Sequence, residues 1–206
     1  SRQSRGLGDV YKRQSLYRPK GYFGSNHAQM IFNLNNDQIY GPYKDDGYMK
    51  LSRMLEKKKN GNVRASHILI SYKGSQNAAP SIERSKNDAK IEANRLLRLV
   101  RMNPDNFSSL ALEHSDGPSS SSGGDLGFFQ EGMMVKPFND YVFKNSVGSI
   151  GVVETEFGFH VIKVVAKEDL AKVATIALKN IPSNFTSDSV FNLSLIHISE
   201  PTRLST

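Results

Sequence analysis

Strict alternation in the middle of the chain predicts a central β-strand at residues 63–72. Successive side chains of a strand point to opposite faces, so every second residue shares a face. One face carries Ala65, His67 and Leu69, and the other carries Ser66, Ile68 and Ile70. Because both faces are partly apolar and the run is rich in branched residues, we expect this strand to be covered on both sides.

Helical spacing follows the polar loop after this strand. Ser85 suits an N-cap and Asp88 stands three positions later, which is the pattern of a capping box. The apolar residues that then keep helical spacing are Ala89, Ala93, Leu96, Leu97 and Val100. Pro104 ends this helix, and two shorter helices are expected from about Asp105 and from Pro137.

Three further strands are predicted in the second half of the chain. They lie at residues 126–129, 150–154 and 159–166. The order of elements is strand, two helices, strand, helix and two strands, and the loops between them are short. This order predicts an α+β fold in which an antiparallel sheet is flanked by helices.

Residues 15–59 allow two interpretations. The spacing from Phe32 to Ile39 repeats the spacing from Phe143 to Ile150, which favours the end of a related preceding module. The alternative is a helix end followed by a hairpin from an unrelated domain. In both cases the segment is too short to bury a core of its own.

Turn signals and composition set the domain boundaries. Asn60, Gly61 and Asn62 predict a turn at the start of the main domain. Both chain ends lack sustained periodicity and resemble non-native sequence. The predicted parts are a non-native or disordered flank at 1–14, the preceding module at 15–59, the main domain at 60–168, the start of a following segment at 169–193 and a second such flank at 194–206.

Charge and composition exclude several classes of function. The chain carries 27 Lys and Arg against 20 Asp and Glu, but residues 1–14 account for part of the excess and no basic stripe is interleaved with aromatic residues. We therefore expect no nucleic-acid partner. The absence of cysteine excludes disulfides, thiolate metal ligands and a cysteine nucleophile. No apolar run is long enough to span a membrane, so we expect any membrane anchor to lie outside this sequence.

Separated motifs recur along the chain in a specific order. They are the histidine-bearing strand at 64–70, the Gly-Gly-Asp-Leu-Gly run and its continuation at 123–129, the Met-Met-Val-Lys-Pro-Phe run at 133–138 and the Phe-Gly-Phe-His strand at 157–163. Together they resemble the PpiC-type, or parvulin, family of peptidyl-prolyl cis-trans isomerases. The resemblance implies a four-stranded antiparallel sheet flanked by helices. If the repeated spacing in residues 15–59 does mark a related module, that module is parvulin-like or chaperone-type, with Met49 in place of the histidine.

The resemblance implies catalytic roles for two histidines. His67 and His160 match the paired histidines that the family carries on central strands. A neutral imidazole offers one hydrogen-bond donor and one acceptor, so we expect the two rings to bond to each other and to orient polar groups below the substrate amide. A purely structural role is the alternative. Thr155 is expected to line the same site, and neither a metal nor a cofactor is expected.

An apolar slot for the proline ring is implied as well. Leu126, Met134 and Phe138 match the family's proline-binding residues. An aromatic ring and a flexible thioether make a dry wall that can accept the ring in either isomer. Without the resemblance, the same three residues would be interpreted as ordinary core residues.

A third polar residue, cysteine or aspartate, stands beside the histidines in the family. In this chain the shorter-loop register falls on Gly117, and a one-residue adjustment falls on Asp116. We assign the catalytic position to Asp116, because glycine has no polar side chain to offer. Phe157 occupies a position where some relatives carry serine.

Charges near the first loop bear on the substrate. Phosphoserine-directed relatives carry paired arginines there, whereas this chain has Lys73, Arg84 and Lys86 and no adjacent pair. We therefore expect unfolded or partly folded polypeptides with unmodified X-Pro bonds as substrates. The expected function is isomerisation, by non-covalent stabilisation of the twisted amide, that assists folding in the periplasm or another extracytoplasmic compartment. A catalytically weak polypeptide-binding chaperone, or holdase, is the alternative.

Overall fold

The computed structural model describes residues 11–13, 16–24 and 26–179 of the 206-residue chain. The chain divides into two compact units. Among the described residues, one unit combines those up to 58 with residues 170–179, and the other consists of residues 59–169. Apart from residues 11–13, both predicted flanks lie outside the described residues.

Seven strands and four α-helices occur in the described part of the chain. In chain order they are β1 (Tyr11–Arg13), β2 (Tyr17–Pro19), α1 (Ala28–Asn33), β3 (Ile39–Asp45), β4 (Tyr48–Ile70), α2 (Lys86–Met102), α3 (Phe107–His114), β5 (Asp125–Gln130), α4 (Lys136–Lys144), β6 (Ile150–Thr155) and β7 (Gly158–Lys179). Short 3-10 helices lie at Lys20–Phe23, Pro104–Asn106 and Pro118–Ser122. None of the described helices is both long and apolar enough to cross a membrane.

The unit of residues 59–169 contains a four-stranded sheet in the order β5, β4, β7, β6. The β4–β5 and β6–β7 pairs are antiparallel. One sheet face packs on α2 and α3 through a cluster that includes Ile68, Val161, Leu96 and Phe107. The other face packs on α4 through a cluster that includes Ala65, Ile162, Phe138 and Val142. The predicted α+β fold, a sheet flanked by helices, is confirmed.

Helix α2 begins as the sequence predicts. The Ser85 side chain accepts the Asp88 backbone N–H at 3.2 Å, and the Asp88 carboxylate accepts the Ser85 backbone N–H at 3.2 Å. This reciprocal capping box satisfies two donors that the first helical turn would otherwise leave unpaired. The residues that α2 buries are Ala89, Ala93, Leu96 and Val100, which keep the predicted helical spacing.

The turn predicted at residues 60–62 is wrong. These residues lie inside β4, which continues without interruption from Tyr48 to Ile70. Asn60 adopts the left-handed conformation, φ 51°, which asparagine tolerates, while its backbone N–H donates to Asp169 at 2.7 Å. Pairing across the sheet therefore overrides the local preference for a turn.

The other unit joins segments that the sequence analysis separated. Residues 28–33 form a helix, and β3 pairs antiparallel with residues 48–53 of β4. Its core consists of Ile31, Met54, Ala171 and Val173. Residues 170–179 were predicted to begin a following segment. They form the second half of β7 instead and belong to this unit. An origin of the unit from a parvulin-like module stays a prediction.

Candidate active site

Two strands bring the predicted histidines together. His67 lies in β4 and His160 in β7, and their Nδ1 atoms are 2.9 Å apart. The imidazole rings stack at an interplanar angle of 14° with their centroids 5.2 Å apart. Both side chains are buried, with 8% and 4% of their surface exposed. The fold therefore places in direct contact two residues that are 93 positions apart.

The outer ring nitrogens contact two hydroxyl groups. His160 Nε2 lies 2.7 Å from Thr155 Oγ1, and His67 Nε2 lies 2.9 Å from Ser119 Oγ. Thr155 Oγ1 also accepts the backbone N–H of Phe157 at 3.2 Å. We call the series Phe157, Thr155, His160, His67 and Ser119 the histidine chain. No three His, Asp or Glu side chains of the described residues are grouped so that they could hold a metal ion.

Burial keeps both imidazoles neutral near pH 7. Loss of solvation lowers the pKa of His67 to about 4. The same loss, together with the neighbouring His67, lowers the pKa of His160 to about 3. Each ring therefore has one N–H donor and one acceptor nitrogen. The pair can orient hydrogen bonds, but it offers no positive charge to a substrate.

Phe138 forms an apolar wall against both histidines. Its ring meets His67 and His160 edge-on, at centroid distances of 5.7 and 5.5 Å. Phe138 is 3% exposed and belongs to the cluster between the sheet and α4. Leu126 and Met134 are half-buried and pack against the same cluster. Of the three predicted slot residues, Phe138 therefore contacts the histidine pair directly, and the other two pack against the cluster that contains Phe138.

Asp116 occupies a different environment from the predicted one. Its carboxylate accepts the backbone N–H of Ser71 at 2.8 Å and pairs with Arg84 at 3.0 Å. The described residues include no hydrogen bond from Asp116 to either histidine. A Cβ added to Gly117, the alternative register, would lie 3.6 Å from His67 Nε2. The position that faces the histidine pair is therefore Gly117, and it carries no side chain.

Ser119 is a site residue that sequence analysis missed. It lies in the 3-10 helix Pro118–Ser122, which follows Gly117 directly. The available signal is a run of four serines that begins two residues after Gly117, the glycine at the expected polar position. The sequence does not distinguish among these serines, because the direction of each side chain depends on the geometry of the turn.

Comparison with known proteins identifies the family. A small α+β domain that holds a buried, neutral histidine pair against an apolar wall is the arrangement that the parvulin resemblance implied. The PPIC-type PPIASE domain family matches residues 49–168, which is more than half of the chain. The chain belongs to this family and is a parvulin-type peptidyl-prolyl cis-trans isomerase. The predicted family and enzyme class are confirmed.

Named relatives share the isomerase domain but differ in total length. The peptidyl-prolyl cis-trans isomerase Pin1 of Digitalis lanata is 38% identical over 110 residues, which cover 49% of this chain and 93% of the relative. The foldase protein PrsA of Geobacillus kaustophilus is 37% identical over 108 residues, 52% of this chain but 32% of the relative. The solved isomerase ESS1 of Candida albicans superposes with a TM-score of 0.50 at 30% identity, covering 53% of this chain and 65% of that one.

We expect the histidine pair to make the fold less stable in mild acid. Between pH 6.5 and their lowered pKa values of about 4 and about 3, these histidines bind protons only in the unfolded chain. The free energy of unfolding should therefore be highest above pH 6.5 and fall as the pH falls, by up to about 1.4 kcal/mol per pH unit for each histidine. Denaturant titrations between about pH 7 and about pH 5 measure this slope.

The variant His67→Asn/His160→Asn serves as the control for that slope. Asparagine has no titrating group in this range, so the variant should lose only the part of the pH dependence that belongs to the pair. All other titratable groups are the same in the variant and in the unmodified protein. Equal slopes for the variant and the unchanged protein would contradict burial of the two rings in the neutral form.

Proposed function

We propose that this protein isomerises unmodified X-Pro bonds in unfolded or partly folded polypeptides. Rotation about the prolyl amide crosses a barrier of about 18–20 kcal/mol, because the C–N bond has partial double-bond character. No bond breaks during the rotation. A catalyst must hold the proline ring, exclude water and favour the twisted amide, and about 1.4 kcal/mol of preferential binding gives each factor of ten in rate.

Leu126, Met134 and Phe138 form the proline slot in this proposal. The supporting observation is that Phe138 lies edge-on to both histidines within the cluster against which the other two residues pack. Phe138 is fixed by burial, while the unbranched thioether of Met134 can adapt to either isomer of the ring. The slot would thus remove water from the amide directly above the histidine chain.

His67, His160 and Thr155 act in the proposal as a fixed hydrogen-bonding support. The neutral rings favour orientation of polar groups over proton transfer, since the lowered pKa values leave both rings uncharged near pH 7. We assign Asp116 a positioning role. Its carboxylate ties the loop before Gly117 to β4 through Ser71 and to Arg84.

The cations near the first loop support an unmodified substrate. They form the pairs Lys73 with Glu83 at 2.5 Å, Arg84 with Asp116 at 3.0 Å and Lys86 with Glu154 at 2.6 Å. Arg84 is the one guanidinium of the three, and both of its terminal nitrogens donate to Asp116. A phosphate would use the same bidentate geometry, so it would have to displace the carboxylate. These residues therefore offer no preorganised pair of guanidinium groups.

An isomerase assay on the full chain tests this choice of substrate. We expect kcat/KM for two peptides that differ only in phosphorylation of the residue before proline to agree within about threefold. The variant Arg84→Ala should leave this ratio unchanged, because Arg84 already binds Asp116. A preference of more than about tenfold for the phosphorylated peptide would contradict the proposed substrate class. Rates equal to the uncatalysed rate with both peptides would contradict catalysis itself.

We propose a role in protein folding outside the cytoplasm, in the periplasm or an equivalent compartment. The relative from Geobacillus kaustophilus is named a foldase and matches the isomerase domain at 37% identity. A substrate without phosphate suits such a role, because newly exported chains present X-Pro bonds in both isomers. Acceleration of a proline-limited refolding reaction, together with fractionation of the source cells, tests the proposal, and recovery of the protein from the cytoplasm would contradict the location.

A further inference from the structure

Ser119 fills the place of the polar residue that is missing at Gly117. A Cβ at Gly117 would lie 3.6 Å from His67 Nε2, so this nitrogen is the atom that a polar side chain at position 117 would approach. Ser119 Oγ, two residues further along, lies 2.9 Å from the same nitrogen. We propose that Ser119 is the third polar group of the active site and that its hydroxyl group donates a hydrogen bond to the nitrogen of the prolyl amide. This inference rests on the proposed isomerase function of the site.

The hydrogen bonds of the histidine chain can run in only two directions, because each neutral ring has one donor and one acceptor. Reversing one of the bonds therefore reverses the others. In the first direction the Thr155 hydroxyl donates to His160 Nε2, and His160 Nδ1–H donates to His67 Nδ1. His67 Nε2–H then donates to Ser119 Oγ. The hydroxyl proton of Ser119 is left free in this arrangement.

The opposite direction leaves a buried proton without an acceptor. Ser119 would then donate to His67, and Thr155 Oγ1 would accept from both His160 and the Phe157 backbone N–H. The hydroxyl proton of Thr155 would need a further partner. Thr155 is 7% exposed, and the described part of the chain supplies no other hydrogen bond to it. Because buried polar groups are nearly always paired, the first direction is favoured.

The backbone around Ser119 is held in place before a substrate binds. The Ser119 carbonyl accepts the Gly124 N–H at 2.9 Å, and the Gly124 carbonyl accepts the His67 N–H at 2.9 Å. Ser119 is half-buried, so part of the residue remains accessible. A twisted prolyl amide loses conjugation, and its nitrogen becomes a better hydrogen-bond acceptor. A fixed donor at this position would favour the twisted state over the planar one.

Histidine tautomers provide the first test. Long-range ¹H–¹⁵N correlation spectra of the ¹⁵N-labelled full chain at neutral pH distinguish a proton on Nδ1 from one on Nε2. We expect His67 to be protonated on Nε2 and His160 on Nδ1. The opposite tautomers, or equal populations of both forms, would overturn the inference. The Ser119 hydroxyl would then donate its hydrogen bond to His67 for all or half of the time.

Kinetics of matched serine variants provide the second test. Ser119→Ala should lower kcat by about two- to tenfold with KM within about twofold, the effect expected for one neutral hydrogen bond made in the transition state. Ser121→Ala, an exposed serine of the same 3-10 helix, should leave kcat unchanged. Ser119→Thr keeps the hydroxyl and should retain most of the activity.

Three outcomes separate this inference from the proposed function. An active full chain whose kcat is unaffected by Ser119→Ala would overturn the role of Ser119 and leave the isomerase function intact. Equal losses in Ser119→Ala and Ser119→Thr, with unchanged melting curves, would also overturn it, because the hydroxyl would not be the cause. A full chain that catalyses no isomerisation would instead refute the proposed function, and the tautomer measurement would still decide the direction of the histidine chain.

Discussion

Replacing Phe138 by Ala is expected to lower kcat/KM by at least about tenfold, which corresponds to about 1.4 kcal/mol of transition-state stabilisation. The ring lies edge-on to His67 and His160 and forms the wall that keeps water from the proposed proline slot. Its removal would expose both the amide and the histidine pair to solvent. A peptide isomerisation assay on the full chain measures the change.

Stability must be measured together with this activity. Phe138 is 3% exposed within a buried cluster, and truncating such a residue costs about 3–5 kcal/mol. Phe143→Ala is the matched control, because Phe143 packs in the same cluster and meets Phe129 at a centroid distance of 6.4 Å. We expect Phe143→Ala to lower the melting temperature and to leave kcat/KM per folded molecule unchanged.

Normal activity in the folded fraction of Phe138→Ala would refute the slot assignment. Phe138 would then serve the core alone. The assignments of Leu126 and Met134 would lose their main support, since both rest on packing in the cluster that contains Phe138. Circular dichroism at the assay temperature gives the folded fraction that this comparison needs.

Gly124→Ala is expected to destabilise the fold by about 2–5 kcal/mol. Gly124 has φ 79°, a conformation that costs an L-residue about 1–2 kcal/mol. A Cβ there would lie 2.3 Å from the backbone carbonyl oxygen of His67, so β4 or the loop would have to move, at a cost of about 1–3 kcal/mol. Because the Gly124 carbonyl also accepts the His67 N–H, the shift would disturb the histidine pair.

Gly132→Ala is the control that measures the conformational part of this effect alone. Gly132 has φ 86°, but a Cβ there would meet no atom within 4 Å. This variant should lose only the conformational share, about 1–2 kcal/mol. Denaturant unfolding of both variants gives the difference. Similar losses at the two positions would show that the close approach of Gly124 to β4 contributes nothing.

Local signals predicted most elements of the isomerase domain. Ser85 and Asp88 form the capping box that their spacing predicted, and the helix buries the expected apolar residues. The strand after Gly158 begins where its alternation begins, but it continues to Lys179. Residues 60–62 carry the composition of a turn and lie in β4 instead, because pairing across a sheet outweighs a local preference.

The site was predicted in part. The resemblance selected His67, His160, Thr155 and the three apolar residues. The structure joins the two histidines to Thr155 and Phe138, and Leu126 and Met134 pack against the cluster that contains Phe138. The resemblance could not select Ser119, because four consecutive serines are equivalent until a 3-10 helix points one of them at His67. Asp116 was preferred over Gly117 for its polar side chain. Its carboxylate instead accepts the Ser71 backbone N–H and pairs with Arg84.

By itself, the sequence determined the α+β order of elements, the capped start of α2 and, through the family resemblance, the pairing of two distant histidines. These follow from periodicity, capping and ordered motifs, which act through neighbouring residues or through a family pattern. Only the tertiary structure decided where β4 and β7 end, which segments complete the other unit, the lowered pKa values of the histidines and the contact of Ser119. Each of these depends on which distant groups share a buried environment, and burial is a property of the folded chain as a whole.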